Sequence, residues 1–238
     1  MSKRTRSNSR FDSGPVLVVV AHPDDETLGA GGTIARHVDD GRDVFAISLT
    51  DGVSSRGRQK ASRKQIRERQ RAAEQAASIL GFRWFHTGEL PDNGLDGVPL
   101  LEIIREVERA RFRLKPTLVY THFPYDLNVD HRLVCQAVLT AFRPQPGESC
   151  IEIRACEVPS STDYGSAISP TPFTPTISVS IDKTWERKLK ALKAYEAEMR
   201  PYPHTRSFEA LEALARTRGT AVGLPMAEAF HLLRKVEL

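Results

Sequence analysis

The stretch PVLVVVAHPDDETLGAGG, residues 15–32, runs from an unbroken apolar segment into a knot of acids and then into glycines. Pro15 to Ala21 shows no alternation of polar and apolar residues and is rich in valine, which marks a strand buried on both faces of a parallel sheet. The loop HPDDETLGAGG is expected to follow, with a helix led by Thr33 to Val38 that stops near Gly41. Val44 to Leu49 (VFAISL) makes a second strand, closed by the turn signal Thr50-Asp51-Gly52. A strand, helix, strand unit therefore opens the fold.

The same alternation continues outward. Residues 62–80 predict a long helix closed by Gly81, Phe82 to Phe85 a short strand, Pro99 to Leu114 a helix, and Thr117 to Tyr120 a strand after Pro116. Leu133 to Ala141 reads as a helix, Ile151 to Val158 and Ile177 to Ile181 as strands, and Trp185, Leu189, Leu192 and Met199 as one helical face ending before Pro201. This order predicts a doubly wound α/β sheet. Residues 159–176, rich in Ser, Thr and Pro, are expected as a long surface loop of the lid or binding kind.

With 238 residues, 40% of them hydrophobic, the chain suits one domain over 15–238, preceded by a basic disordered tail over 1–14. Its longest unbroken apolar run, Val16 to Ala21, has six residues, against the roughly 20 that span a bilayer. No membrane span or secretion signal is expected. Three cysteines, Cys135, Cys150 and Cys156, without C-x-x-C spacing argue against a disulfide framework and point to a cytoplasmic setting. The pI near 9.0 invites a nucleic-acid reading. However, residues 1–10 carry +4 and residues 56–71 carry +7 of a total of +4, which leaves the rest of the chain at −7. No nucleic-acid motif accompanies those two stretches, so no nucleic-acid partner is expected.

Ligands of open α/β sheets bind beyond the carboxyl ends of the strands. His22, Asp24, Asp25 and Glu26 follow the first strand, and Thr121 to His131 (THFPYDLNVDH) follow the strand ending at Tyr120. Three acids beside a histidine repel one another without a cation, so a metal is expected. His22 and Asp25 supply an imidazole and a carboxylate from one loop, and His131 is the natural third ligand, leaving a position open for water. Taken singly, His22 reads as a hydrogen-bonded histidine and the acids as complements to a helix dipole. Gly29, Gly31 and Gly32 come too late after the strand for a dinucleotide-binding turn and are read as permitting a close, turned backbone. On helix 62–80 the residues Ile66, Arg69, Ala73, Ala76 and Leu80 form one stripe, which places the Arg69 guanidinium on the inward face. Asp130 precedes a helix and can be read as its N-cap.

AHPDDETLGAGG (21–32), TDG (50–52), LG (80–81), PDN (91–93) and the Asp-His pair at 130–131 resemble the PIG-L / LmbE family of metal-dependent deacetylases. The likeness runs from about Val16 to the AEAF at 227–230. It implies a Rossmann-like (LmbE-like), mostly parallel sheet with helices on both faces, one Zn2+ per chain with Fe2+ as the alternative ion, and self-association. It also implies hydrolysis of an acetamide, commonly on an N-acetylglucosamine unit. Carried onto this chain, His22, Asp25 and His131 resemble the metal ligands and Asp24 the general base, with Asp130 orienting a neighbouring catalytic side chain. Arg69 and Asp92 resemble sugar-binding residues, although an ordinary turn residue is the plain reading of Asp92. One departure stands out: the family often carries His-x-Asp-His where this chain has Asn128-Val129-Asp130-His131, and an amide cannot deliver a proton. His204 is the candidate substitute acid.

The expected function is a zinc-dependent N-deacetylase acting on an N-acetylated amino sugar, free or conjugated. Two rivals stand beside it. A non-haem iron oxygenase shares the two-histidine, one-carboxylate set, but its usual jelly roll conflicts with the alternating helices. A non-catalytic sugar-binding or scaffold protein is the rival that Asn128 keeps open.

Overall fold

Alternate side chains of the first strand enter two different cores. In β1, Val16–Val20, the residues Val16, Val18 and Val20 pack on one side with Ile34, Ala73, Leu80 and Ala191. Leu17 and Val19 pack on the other with Ile103, Val107, Val134 and Val138. Helices therefore cover both faces, which is why the strand has no polar side.

The computed structural model describes residues 14–55, 63–165 and 170–237. The basic residues 1–13 and 56–62 lie outside the described residues, as do 166–169 of the expected loop. After β1 come α1 (Asp25–Asp39), β2 (Val44–Thr50), α2 (Arg63–Leu80), β3 (Arg83–Leu90), α3 (Leu100–Leu114), β4 (Leu118–His122) and α4 (Val129–Ala141). They are followed by β5 (Glu152–Cys156), the short α5 (Thr162–Gly165), β6 (Ile177–Ser180), α6 (Trp185–Ala194), α7 (Phe208–Thr220) and β7 (Ala227–Lys235). Among the described residues these strands form one sheet in the order β3-β2-β1-β4-β5-β7-β6. The first five strands are parallel, and β7 runs antiparallel to both β5 and β6. The expected mostly parallel α/β fold with helices on both faces is the observed one.

The chain moves from β1 outward to β2 and β3, then returns to β4 on the other side of β1. The switch point, where a crevice opens beyond the strand ends, thus lies between β1 and β4. Among the described residues no helix is long and apolar enough to cross a membrane. The three cysteines are free and buried.

Several boundaries differ from expectation. The glycines at 29–32 are not in a loop, because α1 begins at Asp25. Glycine costs a helix about 1 kcal/mol relative to alanine, but here tertiary packing sets the outcome. A Cβ on Gly29 would lie 2.9 Å from Cys156 Cβ, and one on Gly32 would lie 2.7 Å from the Ile181 side chain, so only glycine lets α1 press this close. Glu228 of the AEAF segment accepts from the Gly32 and Thr33 N–H groups at 2.9 and 2.7 Å and pairs with Lys188, tying β7 and α6 to α1. Helix α4 starts at Val129 instead of Leu133, which carries Asp130 and His131 into its first turn. The strand expected at Phe82 to Phe85 extends to Leu90. Helix α7 and strand β7 were not assigned from sequence, since α7 is alanine-rich and β7 mixes Glu228, His231 and Arg234 with apolar residues.

Candidate metal centre

The loop leaving β1 turns directly into α1. Asp24 precedes that helix and its carbonyl accepts from the Thr27 and Leu28 N–H groups, but its side chain makes no capping bond. Its backbone is held at φ 154° and ψ −27°, a costly conformation for a residue with a Cβ. Glu26 helps to fix it: Oε2 accepts from the Asp24 N–H at 3.0 Å, while Oε1 accepts from the Thr27 and Tyr195 hydroxyls at 2.6 and 2.9 Å. The Asp24 carboxylate is thereby free to face the crevice. Asp25, one residue on, accepts from the His22 N–H at 3.0 Å and turns the other way.

Three atoms converge there. His22 Nδ1 lies 3.2 Å from Asp25 Oδ2, His131 Nε2 lies 3.3 Å from the same oxygen, and the two ring nitrogens are 3.3 Å apart. Donors about 2.0–2.1 Å from a tetrahedral ion stand about 3.3–3.4 Å from one another, so this triangle has the edge length of a zinc-type site. The far nitrogens have carboxylates behind them. Asp92 Oδ1 and Asp130 Oδ2 lie 3.2 and 3.3 Å from His22 Nε2, and Asp126 Oδ2 lies 3.3 Å from His131 Nδ1. Carboxylates at these distances favour a proton on the far nitrogen of each ring, which leaves a lone pair on the near side. The buried atoms Asp25 Oδ1, His22 Nε2 and His131 Nδ1 make no well-aligned hydrogen bond among the described residues. The donor set fits a divalent ion.

The electrostatics agree. Burial alone would lower the His131 pKa, yet Asp25 and Asp126 push it up to about 9, and Asp130, Asp25 and Asp92 likewise raise His22 against its burial. Burial would raise Asp25, but His131 and His22 hold it well below the usual carboxylate range. The cluster thus attracts positive charge, which protons supply in the absence of a metal. His122 is different: burial and its neighbour His131 lower it to about 3, it stacks on the His131 ring at 3.8 Å, and its Nε2 accepts from the Ala21 N–H at 2.8 Å. It buttresses His131 as a neutral ring.

Asp24 sits between two arginines, with Arg69 Nη1 and Arg206 Nη1 each 3.4 Å from its Oδ2. Burial pushes its carboxyl above the ordinary value, and the two arginines offset part of that rise. A cleft of about 310 Å³ opens here, lined by His22, Asp24, Arg69, Asp92, Asn128, Arg200 and Arg206 among others. That volume is at the lower end for small-molecule sites. A larger, mostly apolar groove of about 530 Å³ lies beyond Pro159, but none of the metal-type donors reaches it.

The N-cap of α4 is Asn128 and not Asp130: its Oδ1 accepts from the Asp130 N–H at 2.8 Å, and its Nδ2 donates to Asn93 at 3.0 Å. Asp130 is buried in the first helical turn, where Oδ1 accepts from the Leu95 N–H at 3.1 Å and Oδ2 backs His22. Asp92 lines the cleft but is already engaged by His22 and by the Ser55 hydroxyl at 2.5 Å. His204 is not among the cleft-lining residues. Its Nδ1 accepts from the Arg206 N–H at 3.0 Å, so it shapes the turn that carries Arg206. Sequence reasoning missed Arg206, Asp126 and Tyr195 as site residues, and named Glu26 only as one of the acids after the first strand. Asp126 lay inside the flagged strand-end segment, whereas nothing local marks Arg206.

Arg69 is on the buried stripe as expected, 5% exposed. Its guanidinium is committed inside the protein: it donates to Pro23 O at 2.6 Å and Gly52 O at 3.4 Å and pairs with Asp24 and Glu198. Gly52, at φ +68°, lets these loops meet, since a Cβ there would lie 2.8 Å from Pro23 Cδ. A lysine cannot reach four acceptors from one point charge. Arg69→Lys is therefore expected to loosen the Asp24 carboxylate and, should Asp24 act on a substrate, to lower kcat/KM by about 10². Exposed Arg67 and Arg71 are the controls, and lysine at either should change steady-state rates little.

A doubly wound α/β protein that gathers two histidines and one aspartate at its switch point has the donor set of an open divalent-metal site. The chain belongs to the PIG-L family, described as GlcNAc-PI de-N-acetylase, which it matches over residues 17–142. It is 29% identical over 195 residues to the diacetylchitobiose deacetylase of Thermococcus kodakarensis, covering 79% of this chain and 71% of that protein. Among solved structures, the conserved protein TT1542 from Thermus thermophilus is similar at a TM-score of 0.72 and 27% identity, covering 94% of this chain and 96% of that one. GalB, the 4-carboxy-2-hydroxymuconate hydratase of Pseudomonas putida KT2440, shares the fold at a TM-score of 0.74 and 22% identity, covering 94% and 98%. The fold alone therefore does not choose the reaction.

Proposed function

We propose that this protein is a metal-dependent hydrolase that removes the N-acetyl group from an N-acetylated amino sugar, releasing acetate and a free amine. The observation that carries the reading is the triangle of His22 Nδ1, Asp25 Oδ2 and His131 Nε2, with the uncapped carboxylate of Asp24 at the same strand end. Kinship with a diacetylchitobiose deacetylase supports the substrate class. A divalent ion held by His22, Asp25 and His131, for which zinc suits two imidazoles and a carboxylate, supplies Lewis acidity toward water and the acetamide carbonyl.

The chain's own residues do the rest. Asp24 accepts a proton from the attacking water, with Arg69 and Arg206 fixing its orientation. Its burial raises its proton affinity, which suits it to return that proton to the departing nitrogen as the C–N bond breaks. One carboxylate thus serves as base and then as acid, a role that His204, bonded to the Arg206 backbone, is not placed to fill. Asn128 and Asn93 also line the cleft and offer amide contacts to sugar hydroxyls.

Acetate release is the test, measured with zinc-loaded protein over N-acetylglucosamine, its 1-phosphate, its glycosides and diacetylchitobiose. Turnover of one or more is expected. Binding without acetate from any of them would instead favour the non-catalytic sugar-binding reading.

A further inference from the structure

The segments that follow β1, β2, β3 and β4 close a ring of polar contacts around the far nitrogen of His22. One arm starts at Asp92, whose Oδ1 lies 3.2 Å from His22 Nε2. Its other oxygen, Oδ2, accepts from the Ser55 hydroxyl at 2.5 Å. Ser55 Oγ in turn accepts from Asn93 Nδ2 at 3.2 Å, and Asn93 Oδ1 accepts from Asn128 Nδ2 at 3.0 Å. Asn128 Oδ1 accepts from the Asp130 N–H at 2.8 Å, and Asp130 Oδ2 returns to within 3.3 Å of His22 Nε2.

This ring runs in one direction. An ionised carboxylate only accepts, so the Ser55 hydroxyl donates to Asp92 and is left to accept from Asn93. Asn93 must then present its NH2 to Ser55 and its oxygen to Asn128, and Asn128 its NH2 to Asn93 and its oxygen to the Asp130 N–H. Turning either amide over would set oxygen against oxygen or N–H against N–H. The carboxylate at one end and the backbone N–H at the other thus dictate both amide orientations. An N-cap needs only an oxygen, so capping α4 does not account for the bond from Asn128 Nδ2 to Asn93.

We infer that Ser55, Asn93 and Asn128 are positioning residues of the metal centre: as one unit they hold Asp92 and Asp130 against His22 Nε2, so that Nδ1 is presented to the ion. The inference rests on the reading of His22, Asp25 and His131 as metal ligands and needs nothing from the substrate. It gives Asn128 a role without proton transfer, as a joint between the segment after β3 and the start of α4. Metal ligands are oriented by such outer partners, whose loss weakens metal binding.

The test is the zinc Kd, measured without substrate by competition with a chromophoric chelator, in wild type, Ser55→Ala, Asn128→Ser and the double variant. Serine at 128 keeps an oxygen for the helix cap but has no NH2 for Asn93. Asn93→Gly opens the ring at its middle, and glycine suits the φ of 48° there. Metal-free melting curves check that each variant folds. Each single variant is expected to raise Kd about fivefold, below the roughly 10- to 100-fold cost of losing a direct partner of a metal ligand. Any one break opens the same ring, so the double variant should stay near fivefold, whereas independent effects would multiply to about 25-fold. A wild-type Kd in all three single variants, or multiplied effects in the double, would overturn the ring. Wild type that binds no zinc would overturn the metal reading and this inference with it. Zinc bound by wild type and weakened in the variants, with no acetate from any N-acetylated sugar, would leave the ring standing and overturn the deacetylase reading alone.

Discussion

Asp24→Asn will abolish turnover while leaving bound metal near the wild-type level. The amide keeps the size of the carboxylate and can keep its place between Arg69 and Arg206, but it cannot take a proton from water. Loss of a general base typically costs about 10² to 10⁴ in rate. Metal should stay because the three converging atoms belong to His22, Asp25 and His131, and Asp24 contributes none of them. Metal analysis of the purified variant beside its rate checks both halves. A protein that loses its metal would make Asp24 a ligand. The wild-type pH profile carries a matching signature: Asp24 must be ionised to act as base, so the rate falls as pH drops through its pKa. Burial raises that pKa, which puts the acid limb above the range of an ordinary aspartate, about 3.9.

His131→Ala should empty the metal site and stop turnover together, because it removes one of three ligands and the imidazole that Asp126 Oδ2 backs. Full occupancy in this variant would sink the ligand assignment. Stripping the metal from wild type gives a further, signed expectation. Without metal, Asp25 and Asp126 raise the folded-state pKa of His131 to about 9, above the unfolded value of about 6.5. The stabilisation from protonated His131 is complete below about pH 6.5 and is lost as pH rises through about 9. The stripped protein should therefore melt at progressively lower temperature between those limits. The loaded protein, whose cluster is neutralised by the ion, should lose much less. Parallel melting curves for the two forms across that window would contradict the charge balance described here.

Some of these features are local to the chain and others are not. The apolar run of β1, the helical stripe holding Arg69 and the strand-helix alternation are local patterns, and each corresponds to an element that forms. The meeting of His22, Asp25 and His131 was legible for a related reason: they follow two strands of one parallel sheet, and parallel strands end at one edge. Asp126 was visible as part of a segment but not as the partner of His131, because the pairing depends on how α4 turns back over β4.

What sequence by itself determined was the fold class and the identity of the side chains at the strand ends, since periodicity and composition are properties of neighbours along the chain. Tertiary structure alone decided three matters. It decided that Gly29 to Gly32 are helical, because close approach to Cys156 and Ile181 outweighs the helix cost of glycine. It decided that His204 supports a turn while Arg206 reaches Asp24 across 182 positions of sequence. And it decided that Arg69 and Arg206 converge on Asp24, because which charges meet depends on distances between residues far apart in the chain, and no local pattern encodes those distances.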